Sequence, residues 1–243
     1  MVVQLDCHGI SDIGARRRNE DALLLLPESG LFTIADGIGG NKAGNIASKL
    51  AINYFSNFMI KNRFLSIQKK KKQALNLINK ALYNTNSYVC KISNLNNDLK
   101  GMGTTICCLC EYDSRFFYAH VGDSAIYLLR KNKLRKLTSA HCLKNFYSVN
   151  LINKKSLRNV ITRAIGISSN VNPDISSIKY KKGDIFFLCT DGLSDYVSSN
   201  KIKLILQSKA SLFDKSSGLI DVAKKNGSKD NITILILEVK SLL

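Results

Sequence analysis

The sequence predicts a layered α+β domain in which sheets pack on one another with helices outside. Three observations predict it. Strand-length apolar runs such as "IFFLC" and "ITILILEV" lack polar alternation, which is the pattern of strands buried on both faces. Two longer stretches repeat apolar residues at helical spacing. No glycine- or serine-rich spacer separates these segments and the prolines number two, Pro27 and Pro173, so the 243 residues are expected to form a single domain over 1–243.

In chain order, strands are expected over 5–11, 22–26 and 31–35. From 43 to 59, Ile46, Ala47, Leu50, Tyr54, Phe55 and Phe58 fall on one face of a helix. "KKKK" at 69–72 reads as an exposed loop before a second helix, whose apolar face carries Leu75, Ile78, Ala81, Leu82, Val89 and Ile92. Strands follow over 104–112, 116–121, 125–130, 185–189 and 232–239, with helices over 201–209 and 216–225 between the last two.

Composition narrows the function classes. The N-terminal "MVVQLDCHG" lacks a basic region leading into an apolar stretch, so it does not read as a signal peptide. No apolar run approaches the ~20 residues that cross a bilayer, and no membrane span is expected. Seven cysteines without a regular framework suit a reducing, cytoplasmic location. Cys107 and Cys110 have CxxC spacing, but residues three apart in a strand face opposite ways, so they read as small buried side chains rather than zinc ligands. His120, inside a strand, reads as a hydrogen-bonded core residue. The net charge of +18 is uneven: residues 37–97 and 124–173 each hold ten Lys or Arg and no acid. That charge fits acidic or phosphorylated partners as well as a merely solvated surface. No stacking array or nucleic-acid motif accompanies it, so no specific nucleic acid is expected.

The chemistry lies in acids at strand ends. "FTIAD" stops at Asp36, "FFYAHVGD" at Asp123 and "DIFFLCTD" at Asp191, and Asp230 immediately precedes "NITILILEV". If the strands beside Asp191 and Asp230 are antiparallel, both acids lie on one sheet edge. A fold that gathers all four brings together like charges, which resist ionisation unless cations intervene. With no matching His or Cys set, Mg2+ or Mn2+ fits better than zinc.

Seven ordered segments, "SDIGARRRNEDA", "ADGIGG", "GMGTT", "HVGDSAIYLL", "VITRAIG", "GDIFFLCTDGLSD" and "SKDNITILIL", resemble the motifs of the PPM, or type 2C, Mg2+/Mn2+-dependent protein serine/threonine phosphatases, particularly the compact bacterial ones. The resemblance spans about residues 11–239. It implies a four-layer αββα sandwich, two central, mainly antiparallel sheets flanked by helices, with a metal cleft at one edge. It implies two tightly bound ions bridged by Asp36, with the Gly37 carbonyl, Asp191 and Asp230 as further ligands. Glu20 and Asp21 match the pair that holds metal-bound waters. Asp123, with Asp191 and Asp195, matches a weaker third site. Arg16 matches the phosphate-binding arginine, leaving Arg17 and Arg18 as bystanders. On this resemblance the two ions lower the pKa of a shared water, hydroxide attacks phosphorus in line with the departing oxygen, and no phosphoenzyme is required. The implied partners are phosphoserine and phosphothreonine proteins, including a cognate Ser/Thr kinase or its substrates, and the chain is expected to act as a monomer.

Two departures stand out. Against the family pattern, Ile38 stands where eukaryotic members have histidine and many bacterial members an apolar residue, and Asn41 stands where bacterial relatives often carry histidine, so the usual histidine proton donor is absent nearby. Residues 138–161 resemble the flap beside the cleft but show little motif. Two alternatives compete with an active phosphatase. One is a pseudophosphatase scaffold, which usually loses metal carboxylates; the other is a metal-dependent nuclease, suggested by the basic charge.

Overall fold

The last strand shows how the layers are built. In β11 (Ile232–Leu242), Ile232, Ile234 and Ile236 face one way and Leu235, Leu237 and Val239 the other, and all six are buried. Burying each such side chain favours folding by about 1.5–3 kcal/mol. This computed structural model describes residues 3–38, 43–66, 71–143 and 160–242.

β11 is a central strand of the first sheet. It lies between β1 (Val3–Asp12) and β10 (Ile185–Cys189), and the sheet continues through β7 (Ala125–Arg130) to β8 (Lys133–Lys136), all antiparallel. The second sheet runs β2 (Asp21–Leu26), β3 (Leu31–Ile38), β5 (Ile106–Tyr112), β6 (Arg115–Val121), β9 (Asp174–Lys179), with the short β4 (Gly103–Thr104) paired to the end of β3. Phe32, Ile34, Leu109, Phe116, Phe186 and Leu235 fill the space between the sheets. Helices α1 (Gly44–Ser66) and α2 (Lys71–Leu95) cover the second sheet through Ala47, Phe55, Ile78 and Leu82. The short α3 (Asp191–Ser194), α4 (Ser199–Gln207) and α5 (Leu212–Lys225) cover the first through Leu193, Ile202, Leu206 and Leu219. The result is the expected four-layer αββα sandwich.

Differences from expectation have local causes. β8 and β9 are edge strands of mostly polar residues, so apolar periodicity does not reveal them. The β5–β6 and β7–β8 hairpins turn on Asp113-Ser114 and Lys131-Asn132, with positive φ at all four residues (50°, 58°, 48° and 61°), and neither turn contains the usual glycine. α5 begins at Leu212 rather than 216, because the Ser211 side chain accepts the Asp214 N–H and caps it. Lys71 and Lys72, expected in a loop, open α2. Cys107 faces the space between the sheets and Cys110 faces the helices, as the strand period requires.

Candidate metal centre

Strand register gathers the acids. β10 and β11 are antiparallel, so Asp191, just after one, and Asp230, just before the other, share an edge. On the facing sheet Asp21 sits directly opposite Asp36. Asp123 follows β6 at the same end. Asp36 departs from expectation in one respect: β3 does not stop there but runs on to Ile38, because β4 pairs with Gly37 and Ile38. The Asp36 backbone is thereby held twice by Thr105, whose Oγ1 accepts the Asp36 N–H at 2.9 Å and whose N–H donates to the Asp36 carbonyl at 2.8 Å. A side chain at position 37 would collide with the Gly44 carbonyl and lie 2.7 Å from the Glu20 carbonyl, so glycine is what lets β3 pass so close to α1.

The acids destabilise one another's charge. Asp36 keeps an edge open to the cleft, yet burial of the rest, and then Asp21, Asp191, Asp123 and Asp230, push its carboxyl well above the usual range. Asp191 is pushed up to about 7 by burial and then by Asp123, Asp230, Asp195 and Asp21. Asp21 is pushed up to about 6 by burial, against hydrogen bonds that include the Thr190 hydroxyl at 2.9 Å. Burial also raises Glu20. Asp21 Oδ1 is buried and finds no hydrogen-bond donor among the described residues. Such a cluster of oxygens fits a hard divalent cation: the ion removes the repulsion that the protein leaves in place.

Arg16 is the one cation among the expected site residues. Its Nη2 donates to Asp230 Oδ2 at 2.8 Å, and the guanidinium is more than half exposed. The loop that carries it is fixed by Asn231, to which sequence reasoning assigned no role. Asn231 Nδ2 donates to the Ile13 carbonyl at 2.8 Å and the Arg18 carbonyl at 2.9 Å, while Oδ1 accepts the Glu20 N–H at 2.8 Å. Thr190 and Asn231 were legible only as neighbours of acids, and Thr105 only as part of the "GMGTT" segment; their roles depend on pairing across the fold. Arg17 and Arg18 are exposed. Asp195, also exposed, follows α3 and lies near enough to raise Asp191.

The histidines lie apart from the acid cluster. His8 Nδ1 meets Ser216 Oγ at 2.8 Å on the α5 side of the first sheet. His120 is buried and its Nε2 donates to the Ser139 carbonyl at 2.8 Å, in keeping with a core role. His141 is buried against it, ring centroids 4.5 Å apart. Ile38 is half-buried at the end of β3. Asn41 and residues 144–159 of the flap-like segment lie outside the described residues.

Comparison with known proteins agrees with this geometry. The family profile described as Protein phosphatase 2C matches residues 8–232. The serine/threonine phosphatase stp of Listeria welshimeri is 33% identical over 214 residues, covering 86% of this chain and 84% of that one. The solved structure of serine/threonine phosphatase Stp1 from Staphylococcus aureus superposes with a TM-score of 0.86 at 29% identity, covering 98% of this chain and 96% of that one. The catalytic domain of the serine threonine protein phosphatase PstP, solved in complex with two manganese ions, gives a TM-score of 0.82 at 28% identity over 98% and 99% of the two chains. The chain belongs to the protein phosphatase 2C family, and its enzymatic class is that of the metal-dependent serine/threonine phosphatases.

Proposed function

We propose that Asp36, the Gly37 carbonyl, Asp191 and Asp230 hold two Mn2+ or Mg2+ ions. Asp123, with Asp191 and Asp195, takes a weaker third, and Glu20 and Asp21 position water beside them. The observation that supports this most directly is the cluster of mutually repelling acids at one end of both sheets, with Asp36, Asp191 and Asp21 all raised. When bound, the ions supply an activated water as nucleophile and offset charge on the phosphate.

The chain's own residues bind and orient. Arg16 swings from Asp230 to the incoming phosphate, which its planar fork can grip through two oxygens. Asn231 limits where that guanidinium can go by fixing the loop on both sides of it. No side chain is needed as a covalent nucleophile. The substrates are phosphoserine and phosphothreonine proteins of the cytoplasm, including a cognate kinase or that kinase's own targets. The seven free thiols suit that compartment, and no helix among the described residues is long and apolar enough to cross a membrane. Residues 1–243 act as one catalytic domain, in keeping with a family match that spans both sheets.

The test is phosphate release from phosphoserine and phosphothreonine peptides with Mn2+ or EDTA, beside a single-stranded DNA control. Mn2+-dependent release from the peptides without DNA cleavage is expected. Inactivity on every phosphopeptide despite bound Mn2+ would return the chain to the scaffold reading.

A further inference from the structure

Behind Asp123 lies a second polar cluster with a different character. His120, His141 and Asp174 bring one ligand-type atom each within 4.8 Å of one another. The hydrogen bonds argue against a metal there. The Gly122 N–H points at His141 Nδ1 at 3.2 Å, and an N–H can only donate, so Nδ1 carries the lone pair and the ring proton is on Nε2. Nε2 then faces Asp174 Oδ2 at 3.3 Å and donates to it; Arg163 Nη1 also lies 3.2 Å from Nε2, but as a donor it cannot bond a protonated nitrogen and is instead held by Asp174 Oδ1 at 3.1 Å and the Asn172 carbonyl at 3.2 Å. Both nitrogens of His141 are committed, and a fixed cation already stands beside the carboxylate.

We infer that His141 is a positioning residue that clamps the Gly122–Asp123 turn and thereby sets the affinity of the metal site to which Asp123 contributes. This inference rests on the proposed role of Asp123. Four observations carry it. His141 holds Gly122 at two points, since its backbone N–H also donates to the Gly122 carbonyl at 2.9 Å. Gly122 has φ +104°, and a Cβ there would lie 2.6 Å from Thr105 Cγ2, so the turn is pressed against the residue that holds both backbone groups of Asp36. The next residue, Cys142, places its Sγ 3.9 Å from Asp123 Oδ2. The strap carrying His141 is closed on itself: Thr162 N–H donates to the His141 carbonyl at 2.8 Å, and Leu143 N–H to the Val160 carbonyl at 3.0 Å. The base of the flap-like segment is thus joined through one imidazole to the turn that ends in Asp123. Asp174, held by Arg163, fixes the tautomer that lets Nδ1 accept.

Two near-isosteric substitutions separate this role from simple core filling. In His141→Asn the amide oxygen can occupy the place of Nδ1 and keep the Gly122 bond; in His141→Gln the amide reaches toward Asp174 and leaves Gly122 N–H without its acceptor. The weak site is read by Mn2+ calorimetry, and the Gly122 amide by hydrogen exchange in the Mg2+-loaded full chain. His141→Asn is expected to bind the weaker ion within about threefold of the parent and to keep Gly122 protected, whereas His141→Gln loses about tenfold or more in weak-site affinity, the usual scale for groups that orient ligands. The tight pair should be unchanged in both, which also certifies the fold. Equal behaviour of Asn and Gln, or an unprotected Gly122 amide in the parent, overturns the clamp. A parent that binds no weaker ion overturns its link to metal affinity and, with it, the third-site reading of Asp123, while leaving the binuclear site standing.

Discussion

Two polar clusters sit near the same ends of the strands, and they solve burial in opposite ways. Around Asp174 the charge is balanced: against the burial that would raise it, His141, His120 and Arg163 hold its carboxyl below the usual range. Around Asp36 the balance fails: burial and four neighbouring acids push its carboxyl well above that range, and Arg16 pairs with Asp230 only from an exposed position. The first cluster has satisfied itself with the protein's own cation and is a structural joint. The second keeps its deficit, which is what the proposed metal site requires. Residue type alone does not separate them, since the joint holds the histidines usually read as metal ligands.

The sharpest way to break this contrast is to remove acids from the unbalanced cluster. Asp36→Asn or Asp230→Asn should reduce phosphopeptide turnover to background, as should exhaustive chelation of the parent, because the proposed ligands are all oxygens. Substantial activity in either case would dissolve the binuclear assignment. Asp123→Ala should fold and keep the tight metal pair in calorimetry while losing about tenfold or more in kcat, since the interaction it removes acts mainly in the transition state. Loss of the tight ions in that variant would place Asp123 in the main centre instead.

The pH dependence of stability sharpens the contrast further. Without metal, Asp21 and Asp191, raised to about 6 and about 7 from 3.8, bind more protons folded than unfolded between those values, so this contribution to stability falls as pH rises across the window. His120, lowered from 6.5 to about 4 by burial, acts in the other direction, and stability from it is lost as pH falls through that range. Metal replaces protons at the acids only. The rise in Tm on adding Mg2+ should therefore be larger at about pH 7.5 than at about pH 5.5, and Asp21→Asn should shrink that difference. Equal increments at both pH values would mean that the acids are not the metal's ligands or neighbours.

What was legible from the sequence follows the same division. The four acids at strand ends and the layered fold could be read because strands buried on both faces are unbroken apolar runs and because acids at their ends interrupt them, whereas Arg16, Glu20, Asp21 and Asp195 were reached only through the resemblance to the type 2C phosphatases. β8 and β9 escaped notice because an edge strand exposes one side, and "KLRK" and "DISSIK" carry little apolar signal. Asn231 and Thr190 escaped because their partners lie far off in sequence: Asn231 serves Ile13, Arg18 and Glu20, and Thr190 serves Asp21. His141 escaped for a related reason, since its value lies in a backbone N–H on another turn.

Smaller effects test the absence of a dedicated histidine acid. His8→Asn and His120→Asn should each lower phosphopeptide kcat by less than about tenfold, below the usual share of general acid catalysis. Ile38→His should change phosphopeptide turnover more than p-nitrophenyl phosphate turnover, because nitrophenolate leaves without a proton and a serine alkoxide does not. A large loss at either histidine, confined to the phosphopeptide with the fold intact, would identify an acid outside the cleft described above.

The contrast between the two clusters can be read in one experiment: crystals grown with Mn2+ and measured for anomalous scattering at the manganese edge. Two strong peaks are expected, bridged by the Asp36 carboxylate and within ligand distance of Asp191 and Asp230, with nothing between His120, His141 and Asp174. A peak at the histidine cluster, or none beside Asp36, would contradict that contrast.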